Sequence, residues 1–345
     1  MIGKEKKLAI YMEGNLDSIY AKMGYGVMRY SENPIVCVID SDYAGKNVNE
    51  VIDQPFEIPI VSSVEKAIEM GAEVMVLGLA PTGGKLPDTW VPEVEKALIL
   101  GMSLINGLHD HLADRFAGLL KADRPEQVIW DVRKPVTDYA IARARACALP
   151  NKRVLMIGTD MAVGKMTSGL EIYKWIKEQG IPTDFLATGQ IGITVTGKGI
   201  PLDAIKVDQA SGAVEHMVLG TADKDIVFIE GQGSLLHPGS TATLPLLRGS
   251  CPTHLILCHR GEMTTLRDVP DIKIPPFNEV IELYEALAHA CGSFPKAKTV
   301  GIALNTSKLS EDEALKVIEK IENETGLPVT DVVRFGAEKL GRTLL

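Results

Sequence analysis

The chain has 345 residues, of which 46% are hydrophobic and 23% charged, and 36 lysines and arginines against 45 aspartates and glutamates give a net charge of −9. This composition is typical of a soluble globular protein of about two domains. It argues against a nucleic-acid partner, because binding to phosphate backbones requires basic surfaces.

Membrane and secretory features are not expected. No apolar run approaches the roughly 18 residues that a membrane span needs. The apolar stretch in the opening MIGKEKKLAIYMEG is too short for a signal peptide. The cysteines form no CxxC pair and no metal-ligand spacing, and they are Cys37, Cys147, Cys251, Cys258 and Cys291. We therefore expect reduced thiols in a cytoplasmic protein that has no membrane partner.

In the first half, short apolar runs that predict strands alternate with stretches of helical periodicity. The expected strands are residues 8–12, 35–39, 74–79, 103–105 and 128–130, and the expected helices are residues 64–70 and 91–99. Such alternation predicts a Rossmann-like parallel sheet with helices on both faces. Because Gly14 stands alone after the first strand and Gly24 and Gly26 come later, no GxGxxG dinucleotide site is expected.

Three polar loops follow predicted strands of this half: APTGGKLP at 80–87, NGLHDH at 106–111 and WDVRKP at 130–135. Strand carboxyl ends form the ligand crevice of an open α/β sheet. For any one of these loops alone, ordinary turn chemistry is favoured slightly over a functional role. His109 and His111 lack a third ligand, so no metal site is predicted.

The best candidate linker is LPNK at residues 149–152, between a predicted helix rich in Ala and Arg and the next strand. Pro150 is expected to end that helix. We therefore predict two domains, residues 1–149 and residues 150–345.

A strand predicted at 154–157 leads into GTDMAVGKMT at residues 158–167. Strand, glycine-bounded loop, Gly-Lys and helix form the layout of a phosphate-binding loop, in which backbone N–H groups, a helix N-terminus and a lysine surround an anion. The match is imperfect, because five residues separate Gly158 from Gly164 and the hydroxyl comes one place late. The alternative is a glycine-rich turn with a solvated lysine. The predicted cofactor-binding residues are Thr159, Asp160, Val163, Gly164, Lys165, Met166 and Thr167.

The second half continues the alternation of strands and helices. Strands are expected at residues 185–188, 226–229, 255–258, 300–304 and 329–333, and helices near 208–219, 278–290 and 311–324. Residues 189–192 (GQIG) are expected to form a loop that presents the amide of Gln190. The predicted class is α/β, with a Rossmann-like domain followed by a P-loop NTPase-like domain, each on a parallel sheet.

Glu230 ends a predicted apolar strand and precedes the loop GQGSLLHPG. A carboxylate in this place can bind Mg²⁺, act as a general base or cap the next helix. His237, in the same loop, can exchange a proton near neutral pH. Ser234 and His237 do not form a convincing nucleophile pair, because the sequence lacks a nucleophile elbow.

Two of these stretches together resemble one branch of P-loop proteins. GTDMAVGKMT resembles the GTDTxVGKT loop of dethiobiotin synthetase and the cobyrinate amidating enzymes, and DIVFIEGQGS at 225–234 resembles their acidic VEGxGG segment. This resemblance implies an ATP-dependent ligase or kinase. Its Mg²⁺ ligands would be Thr167, Asp208 and Glu230, although Asp208, at a predicted helix start, also fits an N-cap.

A wider pattern spans nearly the whole chain: TGGKLP, NGLHDHL, DVRKP, GTDMAVGKMT, TGQIGI and EGQGSLLHPG. It resembles a two-domain family long carried as a domain of unknown function, which includes D-glutamate N-acetyltransferases. In that family a Met also follows the loop Lys. The resemblance implies a Rossmann-like domain, a P-loop domain and transfer of the acetyl group of acetyl-CoA to the amino group of a D-amino acid, D-glutamate first.

Resemblance and residues together suggest roles. A phosphate loop can hold the phosphates of coenzyme A, Glu230 or His237 can be the base, and backbone N–H groups of residues 231–234 can bind the thioester oxyanion. Arg260 or Arg267 can pair with the carboxylates of glutamate. We also expect a homo-oligomer, and a nucleotide-sensing regulatory protein is the non-enzymatic alternative. The expected substrate-binding residues are Gln190, Gln232, Gly233, Ser234, Arg260 and Arg267.

Overall fold

The computed structural model describes residues 2–81, 83–135 and 138–345, so Thr82 of the predicted 80–87 loop lies outside the described residues. The chain divides into two α/β units, Met1–Pro135 with Gln190–Pro201 and Val136–Gly189 with Leu202–Leu345. By this division the chain leaves the first unit after residue 135 and returns to it for twelve residues. The domain boundary predicted near residue 150 differs from this division, and it stays a prediction.

The first unit is built on a parallel sheet. Its strands are β1 (Leu8–Tyr11), β2 (Ile35–Ile39), β3 (Ile60–Val61), β4 (Val74–Leu77), β5 (Ser103–Asn106) and β6 (Ile129–Asp131). They pair in the order β3-β2-β1-β4-β5-β6. The central strands β1, β4 and β5 are buried along their whole length, as expected where helices cover both faces. This is the strand order of Rossmann-like domains, so the predicted N-terminal fold is confirmed.

The second unit has its own parallel sheet and a small antiparallel hairpin. The strands are β7 (Lys152–Gly158), β8 (Thr183–Leu186), β9 (Ile226–Ile229), β10 (His254–Arg260), β11 (Thr265–Leu266), β12 (Val269–Lys273), β13 (Lys298–Asn305) and β14 (Val329–Thr330). The sheet order is β14-β13-β10-β7-β9-β8, and β11 and β12 form the hairpin. Strand β7, which leads into the predicted phosphate loop, therefore lies between β10 and β9 at the centre of the sheet.

Helices cover both sheets. Within the described residues they are α1 (Lys22–Tyr30), α2 (Val64–Glu69), α3 (Val91–Leu100), α4 (Leu112–Phe116), α5 (Lys165–Glu178), α6 (Gln190–Thr196), α7 (Val207–Leu219), α8 (Thr243–Ser250), α9 (Phe277–His289), α10 (Glu311–Thr325) and α11 (Glu338–Gly341). The six stretches of predicted helical periodicity correspond to α2, α3, α5, α7, α9 and α10. At α10 the sequence signal is strong, because Ser310 and Glu313 form a reciprocal capping box.

Glycines bring α1 and α6 close to the sheet of the first unit. The N–H of Gly24 in α1 donates to the carbonyl of Gly78, just after β4, at 2.9 Å. A Cβ on Gly24 would lie 2.5 Å from the sulfur of Met12, and one on Gly26 would lie 2.3 Å from the side chain of Ile191 in α6. These two glycines therefore serve helix packing, and the carboxyl ends of β1 and β4 are covered by the unit's own chain.

The predicted loop at residues 189–192 is wrong beyond Gly189, since α6 begins at Gln190. A helix of seven residues is marginal by propensity alone. Here its buried face, which includes Gly192 and Ile193, packs in the first unit and stabilises it. Tertiary packing of this kind leaves little trace in a short sequence window.

The predicted Ala- and Arg-rich helix before Pro150 is also wrong, because only a 3₁₀ turn forms there, at Arg145–Ala148. The buried carboxylate of Glu215 in α7 accepts the N–H groups of Arg143 and Arg145 at 3.1 and 2.7 Å. It also pairs with the Arg145 guanidinium at 2.9 Å. These contacts use backbone donors that a helix would need, and they override local propensity.

Two further findings concern membrane spans and cysteines. Over the described part of the chain, no helix combines the length and the apolar character that crossing a bilayer requires. The five cysteines are free thiols, of which Cys291 is exposed and Cys147 half-buried.

Candidate active site

The predicted phosphate loop, residues 158–164, joins the carboxyl end of β7 to the start of α5. Ala162 and Gly164 have left-handed backbone conformations, with φ of 53° and 99°. Gly164 immediately precedes Lys165, the first residue of α5. The loop therefore has the strand–loop–helix geometry that presents backbone N–H groups and a helix N-terminus to an anion.

Two polar residues hold the loop from inside the protein. Thr159 is fully buried, and its hydroxyl lies 2.9 Å from Nδ1 of His259 at the end of β10. Asp160 is also fully buried, and its carboxylate accepts the N–H groups of Met161, at 2.6 Å, and of Arg267. The hydrogen bonds of both side chains therefore stabilise the conformation of the loop.

The remaining predicted loop residues divide by exposure. Val163 is buried and packs beneath the loop, where a Cβ on Gly158 would approach it to 3.0 Å. Met166 and Thr167 are half-buried in the first turn of α5. The Thr167 hydroxyl is consequently near the surface at the helix N-terminus, one position after that of the usual motif.

Lys165 lies under the loop and is 6% exposed. Its ammonium donates to the carbonyl of Asp160 at 2.7 Å. Burial lowers the pKa of Lys165 to about 8, although the neighbouring Cys258, Asp160 and Glu230 act to raise it. A Cβ on Gly231 would lie 2.9 Å from the lysine chain, so glycine is needed beside it. A buried cation held by a neutral carbonyl is suited to receive an anion.

Glu230 follows β9 directly and is 5% exposed. Its Oε2 accepts the N–H groups of Thr188 and Gly189 at 2.8 and 3.1 Å, and Oε1 takes no hydrogen bond from the described residues. Burial raises the pKa of Glu230 to about 7, against the opposing effects of these two N–H groups and of Lys165. A carboxyl group that titrates near neutral pH can exchange a proton with a substrate.

The glycine-rich loop after Glu230 is fastened to the phosphate loop. Gly233 has φ of 69°, and a Cβ there would lie 1.7 Å from the Ser240 hydroxyl. The buried Ser234 hydroxyl donates to the carbonyl of Thr159 at 3.0 Å and accepts the N–H of Leu236 at 3.1 Å. The polar atoms of Ser234, predicted to bind substrate, are therefore used within the protein.

Three donors of this loop remain available. The N–H groups of Gly231, Gln232 and Gly233 make no hydrogen bond with any residue that the structure describes. The Gln232 side chain donates to the carbonyl of Thr188, so this amide helps to hold the loop while the backbone donors are left for a ligand.

His237 is 7% exposed and both of its ring nitrogens are bonded. Nδ1 accepts the N–H of Gly239 at 3.0 Å, so the proton lies on Nε2, which donates to the carbonyl of Arg267 at 3.0 Å. This geometry favours Glu230 over His237 as a base.

The two predicted carboxylate-binding arginines differ. Arg260 ends β10, two residues beyond the one paired with Gly158, and its Nη2 lies 2.9 Å from Glu262. Its buried Nε has no hydrogen-bond partner in the part of the chain that the structure describes. The Arg267 side chain is 44% exposed and pairs with Asp268 at 3.2 Å. An orphaned buried donor favours Arg260 as the ligand-binding arginine.

The two remaining predicted residues lie in the first turns of helices α6 and α7. Gln190 belongs to the first unit, where it lies against Gly107. Asp208 is exposed in the first turn of α7, whose N-cap is Lys206, so the N-cap assignment is wrong. The carboxylate of Asp208 makes no hydrogen bond or ion pair with the described residues, and it faces a surface cavity beside Arg248.

Sequence reasoning missed two residues of the site. The buried hydroxyl of Tyr284 in α9 donates to the carbonyl of Gly158 at 2.8 Å and accepts the N–H of Leu235 at 3.1 Å. His259 supports Thr159. His259 directly follows a predicted strand, a position that could have drawn notice, whereas Tyr284 lies inside a helix with no motif around it. Among the described residues no three His, Cys, Asp or Glu side chains are grouped as metal ligands.

Both units match known protein families. A family model described as domain of unknown function (DUF1611_C) P-loop domain matches residues 140–341, and one described as domain of unknown function (DUF1611_N) Rossmann-like domain matches residues 41–135. The crystal structure of a DUF1611 family protein from Anabaena variabilis is 48% identical, with a TM-score of 0.92 over 99% of both chains.

Two curated relatives carry names. A D-glutamate N-acetyltransferase of Tritonibacter scottomollicae is 34% identical over 94% of each chain. A D-glutamate N-acetyltransferase of a Pseudoalteromonas species is 36% identical over 81% of this chain and 83% of its own. The similarity therefore covers both the Rossmann-like and the P-loop parts of the protein.

Proposed function

The chain belongs to the DUF1611 family, and on that premise we propose that it transfers the acetyl group of acetyl-CoA to the amino group of D-glutamate. One feature of the site carries the proposal. The carboxyl group of Glu230, with a pKa raised to about 7, interacts electrostatically with Lys165 of the phosphate loop, and the three N–H groups that follow Glu230 in the chain have no hydrogen bond among the described residues. A base, an anion cradle and oxyanion donors are what amine acetylation by a thioester requires.

The phosphate loop is the proposed site for the phosphates of coenzyme A. Lys165 would exchange the neutral carbonyl of Asp160 for a phosphate oxygen, and the N-terminus of α5 would add its positive end. Gripping a pyrophosphate in this way requires no phosphoryl transfer. The loop residues Thr159 and Asp160 would act through the loop's shape, since both are buried.

Glu230 is the proposed base. Ionised Glu230 accepts a proton from the substrate ammonium, and the neutral amine attacks the carbonyl carbon of the thioester. The N–H groups of Gly231, Gln232 and Gly233 stabilise the oxyanion. The C–N bond forms first and gives this tetrahedral oxyanion. When the oxyanion collapses, the C–S bond breaks, and the departing thiolate takes the proton that the new amide nitrogen loses.

Arg260 is the proposed partner of a substrate carboxylate. Its buried Nε lacks an acceptor, and its guanidinium is steadied at one end by Glu262. A carboxylate bound by two guanidinium N–H groups satisfies the orphaned donor and fixes the amino acid.

The competing function is an ATP- and Mg²⁺-dependent ligase or kinase. Its predicted Mg²⁺ ligands are Thr167, Asp208 and Glu230. Asp208 is exposed and makes no hydrogen bond or ion pair with a described residue. The decisive assay measures free thiol released from acetyl-CoA with a panel of D- and L-amino acids, alongside phosphate or ADP released from ATP. Thiol release that requires D-glutamate supports the proposal. ATP consumption without thiol release would overturn it.

A further inference from the structure

The proposed reaction makes no use of the surface around the start of α7. Two apolar side chains there are largely exposed, Ile141 at 71% and Val207 at 83%. Three charged residues, Arg143, Asp208 and Arg248, line an adjoining cavity of about 350 Å³ together with Ile141. We call these five residues the α7 patch.

The exposure of Ile141 does not come from a loosely held segment. A Cβ on Gly212 would lie only 1.7 Å from the carbonyl oxygen of Ala140, so the segment lies directly against α7. On the other side of Ile141, the buried carboxylate of Glu215 accepts the N–H of Arg143. A fixed backbone thus presents an isoleucine to solvent, so a partner that covers it orders little additional chain on binding.

The charges of the α7 patch lack ionic partners within the described chain. Asp208 makes no hydrogen bond or ion pair there, and neither does the guanidinium of Arg143. Arg248 makes no ion pair either, and its guanidinium lies 4.9 Å from the ring centroid of Phe294. One anion and two cations therefore line the same cavity without neutralising one another.

We propose that the α7 patch binds the α7 patch of a second copy of this chain about a two-fold axis. A two-fold contact joins identical surfaces, so the surface must complement itself. This patch does, because Asp208 of one copy can face Arg248 or Arg143 of the other while Val207 and Ile141 form an apolar centre. A different acidic partner would match the arginines and place a like charge against Asp208.

The first experiment measures the oligomeric state of the full chain by sedimentation equilibrium and light scattering. The wild type is expected to be a dimer that dissociates on dilution. Val207→Glu places a charge in the apolar centre twice per dimer, so the dimer Kd should rise by about 100-fold or more. The control is Leu315→Glu, an exposed leucine of α10 in the same unit (48% exposed), which should leave the Kd unchanged.

A charge exchange tests the register of the contact. Asp208→Arg alone and Arg248→Asp alone should each weaken the dimer, because like charges then face each other twice. An equimolar mixture of the two variants should form a heterodimer with near wild-type Kd, since both pairs are restored. If the two variants still do not associate, Arg143→Asp replaces Arg248→Asp. Glu319→Arg, an exposed charge reversal on α10, is the control.

Three results would overturn the proposal, provided that the melting temperatures show folded variants. The first is a wild type that is monomeric at all concentrations, even if it binds another protein instead. The second is a Val207→Glu variant that dimerises normally. The third is a set of charge-exchanged mixtures that never associate.

Discussion

The hydroxyl of Tyr284 donates a hydrogen bond to the carbonyl of Gly158 at 2.8 Å, and the same oxygen accepts the N–H of Leu235 at 3.1 Å. Gly158 begins the phosphate loop, and Leu235 belongs to the loop that follows Glu230. One side chain of α9 therefore joins the loop proposed to hold the cosubstrate to the loop that adjoins the proposed base.

Removing this hydroxyl by Tyr284→Phe should separate the two loops without changing the packed ring. The buried carbonyl of Gly158 then loses its partner, at about 1–3 kcal/mol, and so does the half-buried N–H of Leu235, at a smaller cost. We expect KM for acetyl-CoA to rise and kcat to fall, by about 10-fold together in kcat/KM. The melting temperature should drop by about 2–8 °C, as calorimetry would measure.

The matched control is Tyr173→Phe, whose ring packs on Phe185 and Phe228 and whose hydroxyl has no hydrogen bond among the described residues. It should leave kinetics and melting temperature unchanged. Normal kinetics in Tyr284→Phe, with only the melting temperature lowered, would show that Tyr284 stabilises the fold without positioning the loops.

Glu230→Gln should lower turnover by roughly 10²-fold or more, because the amide cannot accept the substrate proton. The fold should survive, since the amide oxygen can still accept the N–H groups of Thr188 and Gly189. Initial rates of thiol release at saturating acetyl-CoA measure the effect.

The control for Glu230 is Glu215→Gln, another buried carboxylate that accepts backbone N–H groups. Its loss should reduce the melting temperature and leave kcat per folded molecule unchanged. A Glu230→Gln enzyme with near-normal turnover would limit Glu230 to holding Thr188 and Gly189.

The pH profile should have two limbs. Glu230, with its pKa raised to about 7, is ionised above that pH, so kcat should rise through pH 7. Lys165, with its pKa lowered to about 8, loses its charge above that pH, so acetyl-CoA binding should weaken there. We therefore expect an optimum between about 7 and 8, and Glu230→Gln should abolish only the acidic limb.

The free energy of unfolding should also depend on pH through Glu230 and Lys165. As the pH rises, Glu230 should lower it and Lys165 should raise it. The folded protein holds the Glu230 proton at pH values where the unfolded chain has lost it. The free energy of unfolding should therefore fall as the pH rises from about 4.5, the ordinary pKa of a glutamate, to about 7. Between about 8 and 10.5 the unfolded chain holds the Lys165 proton more tightly, so stability should rise. Comparing denaturant unfolding of wild type and Glu230→Gln at several pH values isolates the first contribution.

Much of the fold follows from local sequence, because buried parallel strands and amphipathic helices have distinct periods. For that reason the sequence predicts the positions of β7, α5 and β9 and singles out Lys165 and Glu230. It does not predict contacts between distant segments. The carboxylate of Glu215 takes backbone N–H groups that the predicted Ala- and Arg-rich helix before Pro150 would need, and packing in the first unit stabilises α6.

The site shows the same limit. A strand end followed by glycines indicates where Glu230 lies, but its pKa depends on burial and on N–H groups some forty residues away in the chain. The sequence also does not reveal that the side chains of Ser234 and His237 hold the loops in place. Each forms a hydrogen bond with a group that only folding brings near.

Arg260→Gln should raise KM for D-glutamate by about 10- to 100-fold and leave acetyl-CoA binding intact, because a charge-assisted pair with a carboxylate is worth about 1.5–3 kcal/mol. Arg267→Gln should have little effect, since its guanidinium is half-exposed and paired with Asp268, and its structural contacts come from the backbone. Steady-state kinetics with D-glutamate as the varied substrate decides between them. The reverse ranking of the two variants would transfer the carboxylate site to Arg267.

Lys165→Met keeps the apolar stem of the side chain and removes its charge. The lowered pKa shows that the folded protein disfavours this buried ammonium, so its loss should offset the lost hydrogen bond to Asp160. We expect the melting temperature of the free protein to stay unchanged or to rise slightly. Lys174→Met, an exposed lysine on the same helix, is the control for removing one positive charge from α5.

Binding of the cosubstrate should respond strongly to the same change. A contact between Lys165 and a phosphate is worth about 1.5–3 kcal/mol, so Kd for acetyl-CoA should rise by roughly 10- to 150-fold in Lys165→Met and not in Lys174→Met. Calorimetric titrations with acetyl-CoA and, separately, with ATP and Mg²⁺ measure both affinities on the same variants. Weakened binding of acetyl-CoA agrees with the acetyltransferase, and weakened binding of ATP alone points to the ligase. A lysine at a helix N-terminus is unfavourable unless an anion lies opposite it, and this is why a bound phosphate is expected. Unchanged affinity for both ligands would contradict that expectation and show that the loop is only a turn.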